Sequence, residues 1–224
     1  MFVACADPAD QVQRLVGVIA GLLRADLATR GTAALAVSGG RSPIPLLEAL
    51  SRLELDWSRV DVRLVDERCV APEHADSNAA LVRRHLLQHA AAQARFRPLV
   101  SAPAAVDVCV AQANADAVAL TVAVLGMGED GHTASLFPHA PQLAAAIAPD
   151  CALDYLVLDP VTAPHRRISL SLAALQRCRH LLLAISGSSK LAVYQQACRQ
   201  ATPTLPISLL IHQQATPFDV YWSP

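Results

Sequence analysis

A glycine-rich segment in the middle of the chain carries the residue types that chemistry requires. Residues 124–138 read VLGMGEDGHTASLFP. Gly126, Gly128 and Gly131 match the G-x-G-x-x-G spacing of a dinucleotide-binding turn, whose third glycine opens a helix that receives a pyrophosphate. Nearby prolines shorten any such helix, and two acidic residues would lie beside a negative ligand. We therefore interpret the segment as a catalytic loop and not as a nucleotide-binding turn.

The same loop contains a pair suited to acid–base catalysis. Asp130 and His132 flank Gly131. A histidine changes protonation near neutral pH and can accept a proton from water, and a neighbouring carboxylate can orient its ring. The other histidines lack this setting, and no C-x-x-C pattern predicts a metal site. We expect His132 to act as a general base beside Asp130, with no metal.

A second glycine-rich loop is typical of phosphate binding. Residues 38–43 read SGGRSP. The backbone N–H groups at Gly39 and Gly40 can approach an anion closely, and Ser38 and Ser42 can donate their hydroxyl groups. The alternative is a tight turn between a strand and a helix, which the same residues would also form.

Two basic segments complete the set of candidate binding residues. Residues 186–190 read SGSSK, and Lys190 is the only lysine in the chain. It could supply a positive charge to a phosphate or simply be solvated at a helix start. Arg166 and Arg167 precede a short predicted strand, and adjacent residues of an extended segment face opposite sides. We therefore expect only one of the two arginines to meet the ligand.

The chemically interesting loops share one position relative to the predicted strands. Strands are predicted at Ala33–Val37, Val60–Val65, Val118–Leu125 and Leu181–Ile185. The segments SGGRSP, DER (66–68), the 126–132 loop and SGSSK each follow one of these strands directly. Because the carboxyl ends of parallel strands form the ligand crevice of an open α/β sheet, we expect the four segments to converge on one site.

The remaining elements alternate in the same way. Helices are predicted over 9–29, Pro45–Leu53 and 107–116. Two more are predicted, one from a cap at 76–78 to about Ala90 and one that follows SGSSK and ends at about Arg199. Leu172–Gln176 is predicted to form a helical turn, and further strands are predicted at Tyr155–Leu158, Ile168–Leu170, Ser208–Ile211 and Phe218–Trp222. This alternation indicates one α/β domain over residues 1–224, with a mostly parallel sheet and helices on both faces.

The composition is that of a folded, core-rich domain and excludes several function classes. Apolar residues make up 53% of the 224 residues, charged residues 17%, and the formal net charge is −1. This balance argues against disorder and against a general affinity for nucleic acid or anionic lipid. The six cysteines are scattered singly, which favours reduced thiols over disulfides. With no secretory signal or long apolar run, we expect a soluble cytoplasmic protein.

The ordered set of motifs resembles one enzyme family over essentially the whole chain. AVSGGRSP, LVDERCVAPEHADSN, LGMGEDGHTASLFP, PHRRISLSL and SGSSK follow one another as in the 6-phosphogluconolactonases. The resemblance implies a doubly wound, Rossmann-like fold of the sugar-phosphate isomerase type. It also implies hydrolysis of 6-phospho-glucono-1,5-lactone to 6-phosphogluconate in the oxidative pentose phosphate pathway, with no cofactor. The expected partner is this small molecule, with no nucleic acid or membrane, and the expected state is a monomer or weak homodimer.

The same resemblance implies roles for individual residues. His132 would activate water, and Asp66 and Arg68 would line the reacting end of the substrate. The residues expected to take part in catalysis are His132, Asp66, Arg68 and Asp130. The residues expected to hold the phosphate or the sugar hydroxyl groups are Ser38, Gly39, Gly40, Ser42, Gly131, Arg167 and Lys190. Arg41 departs from the family, which usually has a small polar residue there.

Two alternative functions remain open from the sequence. The first is a sugar-phosphate isomerase or deaminase, but the related deaminases carry a glutamate shortly after the D-G-H motif. Residues 134–137 read ASLF here and offer no carboxylate. The second alternative is a non-catalytic module that senses a sugar phosphate. Such modules are usually joined to a DNA-binding domain, and no basic helix-turn-helix segment is visible in this chain.

Overall fold

A seven-stranded parallel sheet forms the centre of the molecule, which a computed structural model describes over residues 1–224. The strands are β1 (Phe2–Ala4), β2 (Ala33–Val37), β3 (Val60–Leu64), β4 (Asp66–Arg68), β5 (Arg95–Phe96), β6 (Val122–Leu125), β7 (Tyr155–Leu158), β8 (Arg167–Leu170), β9 (Leu181–Ser186) and β10 (Phe218–Ser223). The large sheet has the order β1-β10-β9-β6-β2-β3-β5, with every neighbouring pair parallel. The other three strands form an antiparallel sheet in the order β4-β8-β7.

Eight α-helices connect the strands. They are α1 (Pro8–Arg30), α2 (Ile44–Ser51), α3 (Asn78–His85), α4 (Val106–Ala115), α5 (Leu143–Ala146), α6 (Leu172–Arg177), α7 (Ser188–Ala197) and α8 (Ile207–Ile211). Short 3-10 turns occur at Trp57–Arg59, His89–Gln93 and Pro103–Ala105. No helix combines the length and the apolar character needed to cross a bilayer.

The strand order places a topological switch point between β2 and β6. From β2 the chain moves outward through β3 to β5, and it then returns to β6 and moves outward the other way through β9 and β10. Since crossovers between parallel strands are right-handed, this reversal puts helices on opposite faces of the sheet. The mostly parallel, doubly wound fold expected from the sequence is confirmed. Ligands of such sheets bind beyond the carboxyl ends of the strands at the switch point.

The core is one contiguous cluster of 55 buried residues. It includes all five residues of β2 and all four of β6, which have covered faces on both sides of the sheet. This arrangement explains why these strands are continuous apolar runs in the sequence and do not alternate. One shared core supports our proposal that the chain forms a single domain.

The small antiparallel sheet was not foreseen from the sequence. The D-E-R segment, expected as a loop after a strand, is itself the strand β4, and it pairs with β8 so that Arg68 lies opposite Arg167. A three-residue polar strand has no apolar alternation that a sequence pattern could reveal. This pairing brings the two arginines, 99 positions apart in the chain, to neighbouring places beside the main sheet.

Two further element predictions were wrong. The apolar run Ser208–Ile211 was expected to be a strand, but it lies in α8 after Pro206. There the hydroxyl group of Ser208 donates to the backbone carbonyl of Thr202 at 3.0 Å and accepts from the backbone N–H of Thr202 at 2.8 Å. This local turn fixes the start of the helix. The helix capped by Ser77 also ends at His85 and does not reach Ala90.

Candidate active site

A cavity of about 310 Å³ lies at the carboxyl edge of the parallel sheet, next to the switch point. All four segments that follow strands contribute to its wall, as their positions predicted. The contributing predicted residues and loop glycines are Ser38, Gly39, Gly40, Ser42, Asp66, Arg68, Gly126, Gly128, His132 and Lys190. The residues that line the cavity therefore come from distant parts of the chain, from Gln11 to Lys190.

His132 is held by a carboxylate two residues before it. Its Nδ1 lies 2.5 Å from Oδ1 of Asp130, and its backbone N–H donates to the same oxygen at 3.1 Å. Burial opposes ionisation of Asp130, but the hydrogen bond and charge of His132 outweigh it and keep the pKa of this carboxyl below its usual range. Because an ionised carboxylate can only accept, Nδ1 carries the proton, and Nε2 is left as the basic nitrogen.

Neighbouring side chains fix the plane of the imidazole ring. The ring of Phe137 stacks on it with a centroid separation of 4.0 Å and an interplanar angle of 24°. The buried hydroxyl of Thr133 donates to the carbonyl of Gly126 at 2.9 Å, which closes the loop on itself. His132 therefore has little rotational freedom, although its side chain is still 28% exposed to solvent.

The glycine spacing of this loop serves the histidine and not a nucleotide. A Cβ at Gly128 would lie 2.2 Å from Nδ1 of His132 and 2.5 Å from Oδ1 of Asp130. Gly131 has a φ of +76°, and a Cβ there would come within 2.6 Å of Leu205. Glycine at 128 leaves the space that the Asp130–His132 pair occupies, and glycine at 131 permits the left-handed backbone between the two residues. The G-x-G-x-x-G pattern thus has a reason unrelated to pyrophosphate.

The D-E-R strand contributes two of its side chains to the cavity. Asp66 is buried, and its Oδ2 accepts from the hydroxyl of Ser135 at 2.6 Å. Arg68 donates from Nη1 to the backbone carbonyl of Asp76 at 2.8 Å. Asp66 is thus fixed to the catalytic loop, and Arg68 is fixed to the loop before α3, with both still facing the cavity.

The middle residue of this strand, Glu67, does not reach the cavity but fixes the residues around it. Its side-chain oxygens accept from the backbone N–H groups of Arg68, Asn78 and Ala79, each at 2.7 Å. Burial raises the pKa of Glu67, and these N–H groups partly offset that effect. The carboxylate also occupies the N-terminus of α3, where the helix dipole favours a negative charge. Glu67 therefore joins the start of α3 to the arginine that lines the site.

Further segments of the cavity wall offer positive and polar groups to a ligand. Lys190 lies in the first turn of α7, and none of the ion pairs of the chain includes it. Ser42 is exposed, and Gly40 has a φ of +96°. Ser38 differs from the expectation, because its hydroxyl already donates to the carbonyl of Val124 at 2.9 Å.

Comparison with known proteins places this site in a family. Residues 6–222 match the family model described as glucosamine-6-phosphate isomerases/6-phosphogluconolactonase. The 6-phosphogluconolactonase of Pseudomonas aeruginosa is 43% identical over 96% of this chain and 92% of its own length. That of Neisseria meningitidis is 41% identical over 96% and 95%. A crystal structure of a 6-phosphogluconolactonase from Shewanella baltica superimposes with a TM-score of 0.94 at 38% identity, covering 100% and 97%.

The chain belongs to this family. The match extends from before α1 into β10 and so includes every element of the site. The resemblance inferred from the ordered motifs is confirmed, and it includes the loop with Asp130 and His132. The glycine-rich loop that holds Asp130 and His132, and that is not a nucleotide-binding turn, is therefore part of a member of the isomerase/lactonase family.

Three residues expected at the site do not line the cavity. Asp130 lies behind His132, and Gly131 is turned toward Leu205. Arg167 is only 5% exposed, and its Nε and Nη1 atoms have no hydrogen-bond partner. Burial and the positive charge of Arg68 lower the pKa of Arg167. It contributes a positive charge behind Arg68 and does not form part of the cavity wall.

Sequence reasoning missed Asn78, which was interpreted only as part of a helix cap. Its amide nitrogen donates to the carbonyl of Asp66 at 2.8 Å, and its buried Oδ1 has no partner. A Cβ at Gly39 would lie 1.7 Å from that oxygen, so the loop at 38–43 approaches Asn78 only because residue 39 is glycine. The asparagine thus joins two site loops. Its place directly after the cap in the ADSN motif is the signal that could have indicated it.

Proposed function

We propose that this protein hydrolyses 6-phospho-glucono-1,5-lactone to 6-phosphogluconate, with Nε2 of His132 as the general base. The observation that carries the proposal is the Asp130–His132 pair at the wall of a cavity that also contains Arg68 and Lys190. The pair supplies a base. The two cations suit a substrate that carries a phosphate at one end and develops a negative charge on its carbonyl oxygen at the other.

The reaction needs one proton transfer in each direction. Nε2 of His132 takes a proton from water as the water oxygen bonds to the lactone carbonyl carbon. The carbonyl oxygen becomes an oxyanion, and the permanently charged guanidinium of Arg68 is placed to stabilise it. The tetrahedral intermediate then expels the ring oxygen, which receives the proton from the imidazolium. Asp130 stays ionised throughout and stabilises the positive ring.

The second end of the cavity suits the phosphate. Lys190 lies at the N-terminus of α7, where backbone N–H groups and the helix dipole favour an anion. The Gly39–Gly40 turn and Ser42 face the same space. Arg167 adds a positive charge from behind Arg68, which extends the positive field through the site. Asp66, whose oxygen is bound by Ser135, is better suited to positioning a hydroxyl group than to proton transfer.

We also propose that the protein is a monomer or weak homodimer in the cytoplasm. All six cysteines are unpaired, which is compatible with work in the reducing cytoplasm. Light scattering on the eluting protein would determine the oligomeric state.

The function is tested by timing acid release from freshly generated 6-phosphogluconolactone against its spontaneous opening. The expected result is opening that is proportional to the protein concentration, with unphosphorylated gluconolactone opened far more slowly. A rate equal to the spontaneous rate would overturn the proposal. Equal rates on both lactones would support lactonase activity but contradict the proposed phosphate site.

A further inference from the structure

A second cavity, of about 750 Å³, lies at the opposite edge of the parallel sheet from the candidate active site. Its wall includes residues 117–120, 177–179 and 215–217, which lead into the amino ends of β6, β9 and β10. The active-site cavity lies at the carboxyl edge of the sheet, and no residue lines both cavities. The second cavity is therefore a separate part of the molecule, and the lactonase reaction proposed above does not use it.

Arg63 brings a buried positive charge to the wall of this second cavity. The residue is 7% exposed, and its Nε has no hydrogen-bond partner. The one acceptor that the chain offers to the guanidinium is Oδ1 of Asp61, which lies 3.5 Å from Nη2. That distance is at the long limit for a hydrogen bond, whereas a guanidinium has five N–H donors, and a buried charge is costly unless it is paired and hydrogen-bonded. The chain alone therefore leaves most of the hydrogen-bonding capacity of Arg63 unused.

Two carboxylates close to Arg63 or in the cavity wall are already paired with other arginines. Oδ2 of Asp61 accepts from Nη2 of Arg95 at 2.9 Å, which is a shorter contact than Asp61 makes with Arg63. Asp154, the only acidic residue of the wall, is held by Nη2 of Arg177. Neither carboxylate is free to neutralise Arg63, so its charge is available to an anion that enters the cavity.

The rest of the wall suits a small organic anion. Arg177 and Arg179 also line the cavity, and each engages an aspartate through one guanidinium nitrogen only, which leaves other N–H donors. Leu120, Tyr155 and Leu170 supply apolar surface. The volume lies within the range of roughly 300–1,000 Å³ that small-molecule pockets occupy, and such pockets combine apolar walls with a few placed polar groups.

We propose that this cavity binds a small organic molecule through a phosphate or carboxylate group, with Arg63 as the anchoring residue. A guanidinium binds either group through two parallel N–H···O hydrogen bonds, and the low dielectric around a buried guanidinium strengthens them. The proposal does not depend on the function proposed above, because its readout is binding and not turnover.

The test is an NMR titration of the full-length, isotope-labelled protein with probes that share one aromatic ring. Phenyl phosphate and benzoate carry the two anionic groups, and benzyl alcohol is the uncharged control. We expect saturable shifts of the backbone amide signals of residues 118–120 and 177–179 with at least one anion, and no saturation with the alcohol at the same concentrations. Saturable shifts confined to residues 38–42, 126–132 and 187–190 would place the anion in the active-site cavity and overturn the proposal.

Variants of two arginines that contact the same carboxylate test the anchoring role. Arg63→Met removes the charge but keeps most of the stem, and it should weaken binding at this cavity by at least ~10-fold, as for one lost charged hydrogen bond. Arg63→Lys keeps a positive charge and should retain part of the affinity. Arg95→Met is the matched control and should leave binding unchanged, because Arg95 is exposed, binds Asp61 and does not line the cavity.

Three results would overturn the proposal. The first is unchanged affinity in Arg63→Met, and the second is an equal loss in Arg95→Met. The third is equal affinity of the wild type for the anions and for benzyl alcohol. This last comparison needs no variant, so it decides the question even if Arg63→Met does not fold.

Discussion

Two sets of residues around the cavity, which we call the reacting wall and the binding wall, differ in how far the protein itself engages their polar groups. On one wall, Asp130 holds His132, and Ser135 holds Asp66. On the other wall, Lys190 has no ion pair within the chain and Ser42 is exposed. Groups that act in the transition state benefit from being fixed in advance, because no reorganisation is then needed during the reaction. Groups that only bind must keep free charge for the ligand. The contrast separates a reacting wall from a binding wall.

The largest expected effect comes from removing the base on the reacting wall. His132→Ala should lower kcat by ~10²–10⁴-fold, the usual contribution of a general base, and change KM little. Steady-state kinetics on the phosphorylated lactone measure this. His139→Asn, at an exposed position just beyond the loop where a φ of +65° suits asparagine, is the matched control. A variant that keeps most of the wild-type turnover would remove His132 from the mechanism.

A single methyl group added on the same wall should nearly match that loss. Gly128→Ala would place Cβ 2.2 Å from Nδ1 of His132 and force the ring and Asp130 apart. Misplacement of a catalytic group by about 1 Å can cost roughly 10²-fold in rate. Gly126→Ala is the comparison, because its Cβ would meet no atom within 4 Å. If the two variants have equal kcat, steric displacement of His132 is not the cause.

On the binding wall, loss of charge should discriminate between substrates. Lys190→Met keeps most of the stem but removes the ammonium group, and kcat/KM for the phosphorylated lactone should fall about 10–150-fold, as for one lost charged hydrogen bond. The value for unphosphorylated gluconolactone should hardly change. Lys190→Arg should recover part of the loss. Equal slowing of both lactones would show that Lys190 belongs to the reacting wall.

A change that leaves His132 present but alters its support should affect both substrates alike. Asp130→Asn can donate to Nδ1 and so favour the tautomer in which Nε2 carries the proton. We expect kcat to fall about 10–100-fold for both lactones, as for other residues that orient a functional histidine. Circular dichroism would establish that the fold is retained. A loss confined to the phosphorylated substrate would contradict the assignment of Asp130 to the reacting wall.

The smallest expected effect on catalysis comes from the support behind the walls. Glu67→Gln puts an amide NH₂ among backbone donors and leaves at least one of them without a partner. The free energy of unfolding should fall by about 1–3 kcal/mol. Thermal unfolding measures this as a decrease of roughly 2–4 °C per kcal/mol. Glu73→Gln, at an exposed position five residues before α3, is the control and should be neutral.

The reacting wall could be predicted from sequence far better than the contacts between distant loops. Asp130 and His132 lie two residues apart, so their pairing is a local property of one turn. The strand Ala33–Val37 was predicted with its observed bounds because a fully buried strand is a continuous apolar run. Such features depend on neighbours in the chain, which a sequence displays directly.

Features that depend on tertiary packing could not be predicted. The contact between Asn78 and Gly39 joins residues 39 positions apart, and nothing in either motif specifies the other. The burial of Arg167 follows from the pairing of β8, whose residues Ile168–Leu170 were predicted as a strand, with β4, which is too short and polar to be recognised by pattern. The apolar run Ile207–Ile211 is compatible with either a helix or a buried strand. The hydrogen-bonded turn around Ser208, which the pattern does not display, favours the helix.

The register of β4 and β8 has a consequence for how the molecule responds to its surroundings. Arg68 and Arg167 are direct cross-strand partners, an arrangement that is unfavourable for like charges. The repulsion is part of the folded state, and any anion near Arg68 relieves it. Dissolved salt weakens the same repulsion by screening the exposed guanidinium. We therefore expect an anion bound beside Arg68 to raise the unfolding midpoint of this protein, which thermal unfolding with and without added phosphate would measure.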